Sequence, residues 1–504
     1  MTSGTTISIK MLPPFCQGRQ PRNDSGKRVN AKQARPDAKH GSPIKTRKRS
    51  VASSAMEIAE LVFTIGYHRL FLDELSRKAG REQVIRLPNL RSPKKRQKTA
   101  LRIALLIAAV SSPRVSYAQS PHDAAPETVL EPVRQNGVRV GNGFLLVSDF
   151  RLGGEYDSNV YNTPTGKRDD LSVVIAPKAT LRSNWSRHEV SLDLESEVRR
   201  YRDLKAENSE QYSVAANSLL ELGYNIDVRA RAGFARRIER RGTSGDDFLT
   251  DAPVEYDETF ARLEVSRSGN RLGLKADAAI TKRDFNAASI NDAPIDLSSR
   301  DLTIIRGSAR ADLRISDRTR TFIEGRINTI DYSLDSPIDK DSDGLSALAG
   351  IHHEITGNSS IEIAAGYMEQ HFDNPNFASY KGVNYSLDLD WLPRPQLRLT
   401  ASAARTMRRS PFQNVPVVIE SDFRIQAEKS FHDSVFLRAQ ASHTRENYRE
   451  INRTDKRWGV GAEAEYRLTR NLGAFAGTSY RKQTSNGGRQ YSGFRISFGV
   501  RMVL

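Results

Sequence analysis

The last fourteen residues, Tyr491 to Leu504, constrain this chain more than any other stretch. Every second position from Phe494 is apolar: Phe494, Ile496, Phe498, Val500, Met502 and Leu504. Between them stand Arg495, Ser497, Gly499, Arg501 and Val503, mostly small or charged. Period-two alternation gives a strand one apolar face and one wet face. A soluble domain ending on such a strand leaves an apolar edge open to aggregation. A membrane barrel requires one, because its last strand closes onto its first and the apolar face meets lipid. The alternative on this segment alone is the edge strand of a β-sandwich.

The same period runs back through the chain to Gly143. Strands are expected near 143–156, 170–183, 187–202, 209–222, 225–238, 254–267, 270–284, 300–315 and 318–332. They continue near 343–356, 359–372, 378–391, 395–408, 415–428, 432–446, 455–468, 471–484 and 490–504. The eighteen segments make an even number, as bacterial single-chain barrels require. The apolar face reads Phe144, Leu146, Phe150, Leu152, Tyr156 in the first and Trp458, Val460, Ala462, Ala464, Tyr466, Leu468 in the sixteenth. The ninth alternates poorly. Short turns follow even strands, such as Gly223–Tyr224 and Gly357–Asn358, and longer links such as Asp157–Asp169 and Glu239–Pro253 follow odd ones. A sandwich has no reason to keep that alternation, and no 40–50-residue repeat marks a propeller. Trp185 and Trp391 fall at periplasmic strand ends and Trp458 near an external end, where aromatic girdles belong. The expected fold is therefore all-β, an antiparallel up-and-down transmembrane barrel over residues 143–504.

A net charge of +17 and a pI near 9.8 suggest nucleic-acid binding until the charge is located. Of 77 basic and 60 acidic residues, 24 and 7 fall within 1–118, leaving 53 of each beyond it. A neutral remainder gives no nucleic-acid partner. Mean hydropathy is −0.56, and no 18-residue apolar run offers a membrane helix. Barrels escape such a scan because only alternate residues are apolar. Cys16 is the single cysteine, so residues 119–504 carry neither disulfide nor thiol chemistry.

Residues 91–118 have the three regions of a secretory signal: a basic cluster from Arg91 to Lys98, the apolar core Ile103–Val110, and small residues in Ser116-Tyr117-Ala118. Cleavage is expected between Ala118 and Gln119; a short buried helix is the alternative. Residues 1–90 precede that signal as a basic, largely disordered extension. An assigned start lying too far upstream would explain them, with the working start around Val84 or Leu87; a cytoplasmic regulatory arm is the rival. Residues 119–142, with Pro121, Pro126 and Pro132, read as a periplasmic tail.

Residues of the opposite parity should line the lumen. The candidates are Glu195, Glu197, Arg229, Arg231, Arg306, Arg310, Arg398, Glu420, Asp422, Arg424, Glu463, Glu465, Arg495 and Arg501. Opposed rows of both signs would set a transverse field in a hydrated pore. A lumen filled by salt-bridged side chains is the alternative, though eighteen strands make a barrel too wide for side chains alone to fill. Several inward-folded loops could narrow it together. The acidic external stretches, including Gly245-Asp246-Asp247 and Asp335 to Asp343, offer hard oxygens but no EF-hand spacing, so no metal site is assigned. No catalytic or cofactor motif appears, and only His371 or His443 meeting a Ser and an Asp would change that reading.

Two resemblances sharpen the expectation. The alternating end with Phe494 and Phe498 resembles the C-terminal assembly signal of outer-membrane proteins, although that signal usually finishes in Phe or Trp and this chain has Leu504. The run Tyr156-Asp157-Ser158-Asn159-Val160-Tyr161, closing a first strand that begins Phe144-Leu-Leu-Val, resembles the opening of the putative β-barrel porin 2 family. That resemblance implies an outer-membrane, porin-like channel for hydrophilic solutes, with some relatives accompanying exopolysaccharide secretion. It implies no specific site residue and no cofactor. Expected partners are outer-membrane lipid and lipopolysaccharide, the barrel assembly machinery and polysaccharide secretion components. The alternative function is a non-conducting structural or surface-interaction barrel.

Overall fold

A computed structural model describes residues 137–504 apart from 249, 334–338 and 433. Eighteen strands form the barrel. They are β1 (Phe144–Asp157), β2 (Asp170–Ser183), β3 (Glu189–Tyr201), β4 (Ser209–Leu222), β5 (Ile226–Ile238) and β6 (Glu255–Arg267). Next come β7 (Leu272–Phe285), β8 (Leu302–Arg314), β9 (Thr319–Tyr332), β10 (Ser342–Thr356), β11 (Ser359–Phe372) and β12 (Tyr380–Arg394). The last are β13 (Leu397–Arg409), β14 (Val417–Phe431), β15 (Val435–Tyr448), β16 (Arg453–Arg467), β17 (Leu472–Ser485) and β18 (Tyr491–Val503). Each pairs antiparallel with its sequence neighbours, and β18 pairs with β1 from Asp149↔Val503 to Asp157↔Arg495. The sheet therefore closes on itself.

Parity sorts the side chains. Phe494, Ile496, Phe498, Val500 and Met502 all point outward, and Phe498 is 54% exposed. These outward positions span nine residues of β18. At about 3.3 Å per residue and a tilt of about 40°, that is a band of roughly 23 Å, the height of an outer-membrane hydrocarbon layer.

Glycines let the seam close tightly on both faces. Inside, the Phe475 ring lies over Gly153 and Gly499, where an added Cβ would come within 3.0 and 2.8 Å of its Cζ. The Arg151 guanidinium caps that ring at 3.7 Å. Outside, the Phe498 ring covers Gly154, where a Cβ would lie 2.8 Å from Cζ. Leu504 adds a last reciprocal backbone pair with Ser148.

The end of the expected periplasmic tail is itself structured. Val138–Val140 turns back through Gly141 and pairs with β1, Val138 opposite Leu146 and Val140 opposite Phe144. It occupies the same edge of β1 as β18, just beyond Leu504. The signal peptide, its cleavage at Ala118–Gln119, residues 1–90 and the tail up to 136 lie outside the described residues.

Even strands are followed by links as short as Gly357–Asn358, and odd ones by longer links such as 239–254 and 286–301. Strand ends differ from the sequence reading by a few residues. A small hairpin, Ala288–Ile290 with Ala293–Ile295, and three short 3-10 turns inside the links were not foreseen.

The seam yields a first prediction. Gly154→Val should drive a side chain into the Phe498 ring and lower the fraction of protein that shows heat-shifted gel mobility, since overpacking of this kind costs about 1–3 kcal/mol. Phe498→Leu in the same chain should restore most of it; an unchanged fraction in the single variant would contradict the seam geometry.

Candidate functional site

The inner wall is where chemistry beyond lipid contact resides. All fourteen candidate residues carry the inward parity, opposite to exposed outward neighbours such as Leu194, Phe423, Ile425 and Val460. Their charges pair along the wall, with strands up to three apart. Near the periplasmic end, Arg501 binds Asp149 at 2.6 Å and Glu465 at 3.5 Å, and Arg151 meets Glu463. Arg398 binds Asp390. On the β8–β11 wall Arg310 makes 2.9 Å bonds to both Asp312 and Glu362 and lies 3.5 Å over the Phe322 ring.

Glu195 pairs with Lys178, Glu197 with Arg199 and Arg240, Arg229 with Asp227 and Glu264, and Arg231 with Asp193. Arg495 binds Asp157 and Glu155, and Glu420 binds Arg408 at 2.6 Å. Asp422 accepts a hydrogen bond from Thr444, and Arg424 has no ion pair among the described residues, its Nη2 buried without a partner. The wall is thus an interleaved mosaic of neighbouring opposite charges, where the sequence reading had opposed rows acting across the lumen. Each exposed pair is worth about 0–1 kcal/mol, so the mosaic keeps the wall polar more than it stabilises the fold.

One arc of the wall sets amides and hydroxyls among its charges, with Arg326 opposite Ser346 and Asp388 opposite Ser402. Asn328, Ser346, Gln370, Asn384, Ser386 and Ser402 lie on successive strands from β9 to β13 with inward parity. Gln370 Nε2 donates to Asn328 Oδ1 at 3.2 Å, and Asn384 Nδ2 to Ser346 Oγ at 2.9 Å.

Two segments fold into the external half of the lumen. Pairing between β12 and β13 stops at Tyr385↔Arg405, although β12 stays paired with β11 to Tyr380 and β13 with β14 to Arg409. Above that split the β13–β14 hairpin leans inward. Met407, Val417 and Ile419, outward by parity, pack on the inward residues Met368, Phe372 and Tyr380. The hairpin tip reaches Lys340 in the β9–β10 link, whose Nζ donates to the carbonyls of Ser410 at 3.0 Å and Phe412 at 3.1 Å. Burial, with Arg300 and Arg409 nearby, pushes the Lys340 ammonium down to about 8. Asp341 beside it accepts from the Tyr332 N–H at 2.6 Å, and burial together with Asp339 pushes its carboxyl up to about 7.

The second segment is the β5–β6 link. Arg241 holds Glu207 and Asp246, Arg489 from the β17–β18 link binds Asp246 at 2.8 Å, and Tyr491 Oη donates to the Gly242 carbonyl. Asp246 is therefore an internal tether. Among the described residues no cluster of three or more His, Cys, Asp or Glu side chains could hold a metal.

Among the described residues, neither His371 nor His443 meets both a Ser and an Asp. His371 Nδ1 lies 2.7 Å from Ser379 Oγ, but Asp343, opposite it in register, forms no ion pair with it and accepts from Thr329. His443 stacks on Trp458 at 3.9 Å.

The Tyr156–Tyr161 run ties the first link to the seam. Asp157 accepts from Arg481 at 2.8 Å and from Arg495, while Asn159 Nδ2 donates to the carbonyls of Thr163 and Ser492.

No curated protein sequence matches the chain. Solved structures of similar architecture include the outer-membrane protein OpdK of Pseudomonas aeruginosa, 12% identical, covering 71% of this chain and 99% of that one with a TM-score of 0.39. A BenF-like porin of Pseudomonas fluorescens Pf-5 is 11% identical over 71% and 99%, TM-score 0.40. The FrpB iron transporter of Neisseria meningitidis is 12% identical over 68% and 62%, TM-score 0.39. A family model described as putative beta-barrel porin 2 matches residues 131–503, nearly all of the described barrel. The chain belongs to that family.

Proposed function

We propose that this barrel is an outer-membrane channel for hydrophilic solutes. The observation that carries the reading is the contrast between the two faces of one closed sheet. Outward positions between the rims are mostly apolar, and the inner wall is dense in charged and amide side chains with small apolar clusters among them. A lipid-sized apolar band around a largely polar interior suits a lumen that holds water and what dissolves in it.

The finer reading is passage of a polysaccharide. Its support is the run of amides and hydroxyls from Asn328 to Ser402, since sugars are held by amide and hydroxyl hydrogen bonds more than by fixed charge. A non-conducting barrel is the second reading. It is favoured by ion pairs as buried as Arg457–Glu446, whose side chains are 5% and 3% exposed, and by the two segments folded into the lumen.

Planar-bilayer recording of the full chain separates these readings. Steady conductance steps are expected, with current reduced by added neutral polysaccharide. Protein that is folded by heat-shifted mobility yet never conducts would overturn the channel.

The inward hairpin should set the step size. Lys340→Ala removes the bonds to Ser410 and Phe412 and should raise single-channel conductance by about a quarter to twofold. Its docking should also depend on pH with a defined sign. Docked Lys340 loses its proton from about 8 against an ordinary 10.5, so docking strengthens as pH rises above 8. Conductance should therefore hold level up to about pH 8 and fall as pH rises above it; a rise above pH 8 would contradict the assignment.

A further inference from the structure

We infer that the outer surface of β15–β18, at its external rim, binds the phosphates of an outer-leaflet anionic glycolipid. The inference rests on the outer-membrane placement of the barrel and is independent of whether its lumen conducts. Four exposed cations meet there: Arg445 on β15, Lys456 on β16, Lys482 on β17 and Lys167 from the β1–β2 link. Arg445 and Lys456 stand directly opposite each other in the ladder. Lys482 is one diagonal step away, opposite Trp458. Lys167 Nζ donates at 3.0 Å to Ser492 Oγ, and Ser492 is the cross-strand partner of Lys482.

Like charges set opposite each other on a sheet repel. Elsewhere on the same rim the sequence avoids this by pairing outward cations with carboxylates: Arg200 with Glu210, Arg236 with Asp257, Lys282 with Asp284 and Lys381 with Glu369. The β15–β18 cations form no ion pair among the described residues. Arg445 turns to the Asn447 amide oxygen, and Asp169, the carboxylate near Lys167 in sequence, accepts from Tyr156. The patch is a fixed surplus of positive charge on three adjacent strands.

What lies beneath it identifies the occupant. Trp458 and Tyr480, 53% and 45% exposed, mark the upper edge of the apolar band, and Val460 and Phe494 to Phe498 continue it downward. A ligand with phosphates at the level of the cations and acyl chains along that band satisfies both surfaces at once. Guanidinium and ammonium donors make charge-assisted bonds to phosphate oxygens, and the indole sits at the boundary it prefers. A soluble anion would use the cations and leave the apolar band unchanged, so the outer-leaflet lipid, lipopolysaccharide, is the occupant.

The test uses the full chain extracted from membranes, with folding checked by heat-shifted mobility. Lipopolysaccharide and its dephosphorylated form are titrated separately against wild type, against the K167Q/R445Q/K456Q/K482Q variant, and against R200Q/K381Q, which alters paired rim cations. Binding to the phosphorylated lipid should weaken at least about tenfold in the quadruple variant and stay unchanged in the double one, with the dephosphorylated lipid binding all three weakly. Equal binding by wild type and the quadruple variant would overturn the site. Equal competition by inorganic phosphate at similar concentration would overturn the lipid as its occupant. Conductance recorded on the same samples keeps the outcome separate from the channel reading, since loss of lipid binding with intact conductance leaves the channel standing.

Discussion

Every backbone N–H and C=O within the hydrocarbon layer needs a partner, and the bilayer offers none. The whole arrangement depends on that constraint. Seventeen of the ladders in this barrel join strands consecutive in sequence, and their short turns make them locally encoded. The eighteenth, between β1 and β18, joins residues more than 330 positions apart, such as Asp157 and Arg495. Closure therefore concentrates specific chemistry at one seam: glycine pairs under aromatic rings, Arg151 over Phe475, and Arg481 and Arg495 converging on Asp157. A single unpaired edge would cost several kcal/mol per exposed group, far more than any one of these contacts supplies.

A barrel of this strand number is too wide for side chains alone to span. The chain narrows it with backbone, by bending the β13–β14 hairpin inward and tethering the β5–β6 link to the far rim through Asp246. The hairpin can lean because its bond to β12 ends at Tyr385↔Arg405, giving up a few ladder bonds on the water-facing side where solvent replaces them. Apolar contact with Met368, Phe372 and Tyr380 offsets that loss.

Much of this was legible in the sequence for a simple reason: period-two alternation is enforced residue by residue when one face meets lipid. It failed where the interior is not uniformly wet. β9 alternates poorly because Phe322 and Ile330 point inward into small apolar clusters with Leu348 and Ile304, while Gly325 and Asp331 point outward. The inward lean was hidden for the converse reason. Met407, Val417 and Ile419 have the composition and spacing of a lipid face, and only the break in pairing to β12 reveals that they pack on protein. Parity gives the strand face of the fourteen candidate charges, but their partners depend on register between strands. Sequence spacing gives the face of a strand without giving its shift against the neighbour.

The short strand Val138–Val140 has a topological consequence. On the edge of β1, Val138 stands opposite Leu146 and Leu504 opposite Ser148, so the start of the described chain and its end lie two residues apart along one ladder. The ladder on this edge of β1 is thus nearly continuous from Leu504 to Val138–Val140. A covalent joint between Leu504 and Gly137 would complete the ring, and the break could then be moved to a tight periplasmic turn such as Gly223–Asn225, with positive φ at Tyr224 and Asn225. The order in which the strands are read from the ribosome is in that sense a property of the gene, and the ring they form would be reachable from other circular permutations of the same sequence.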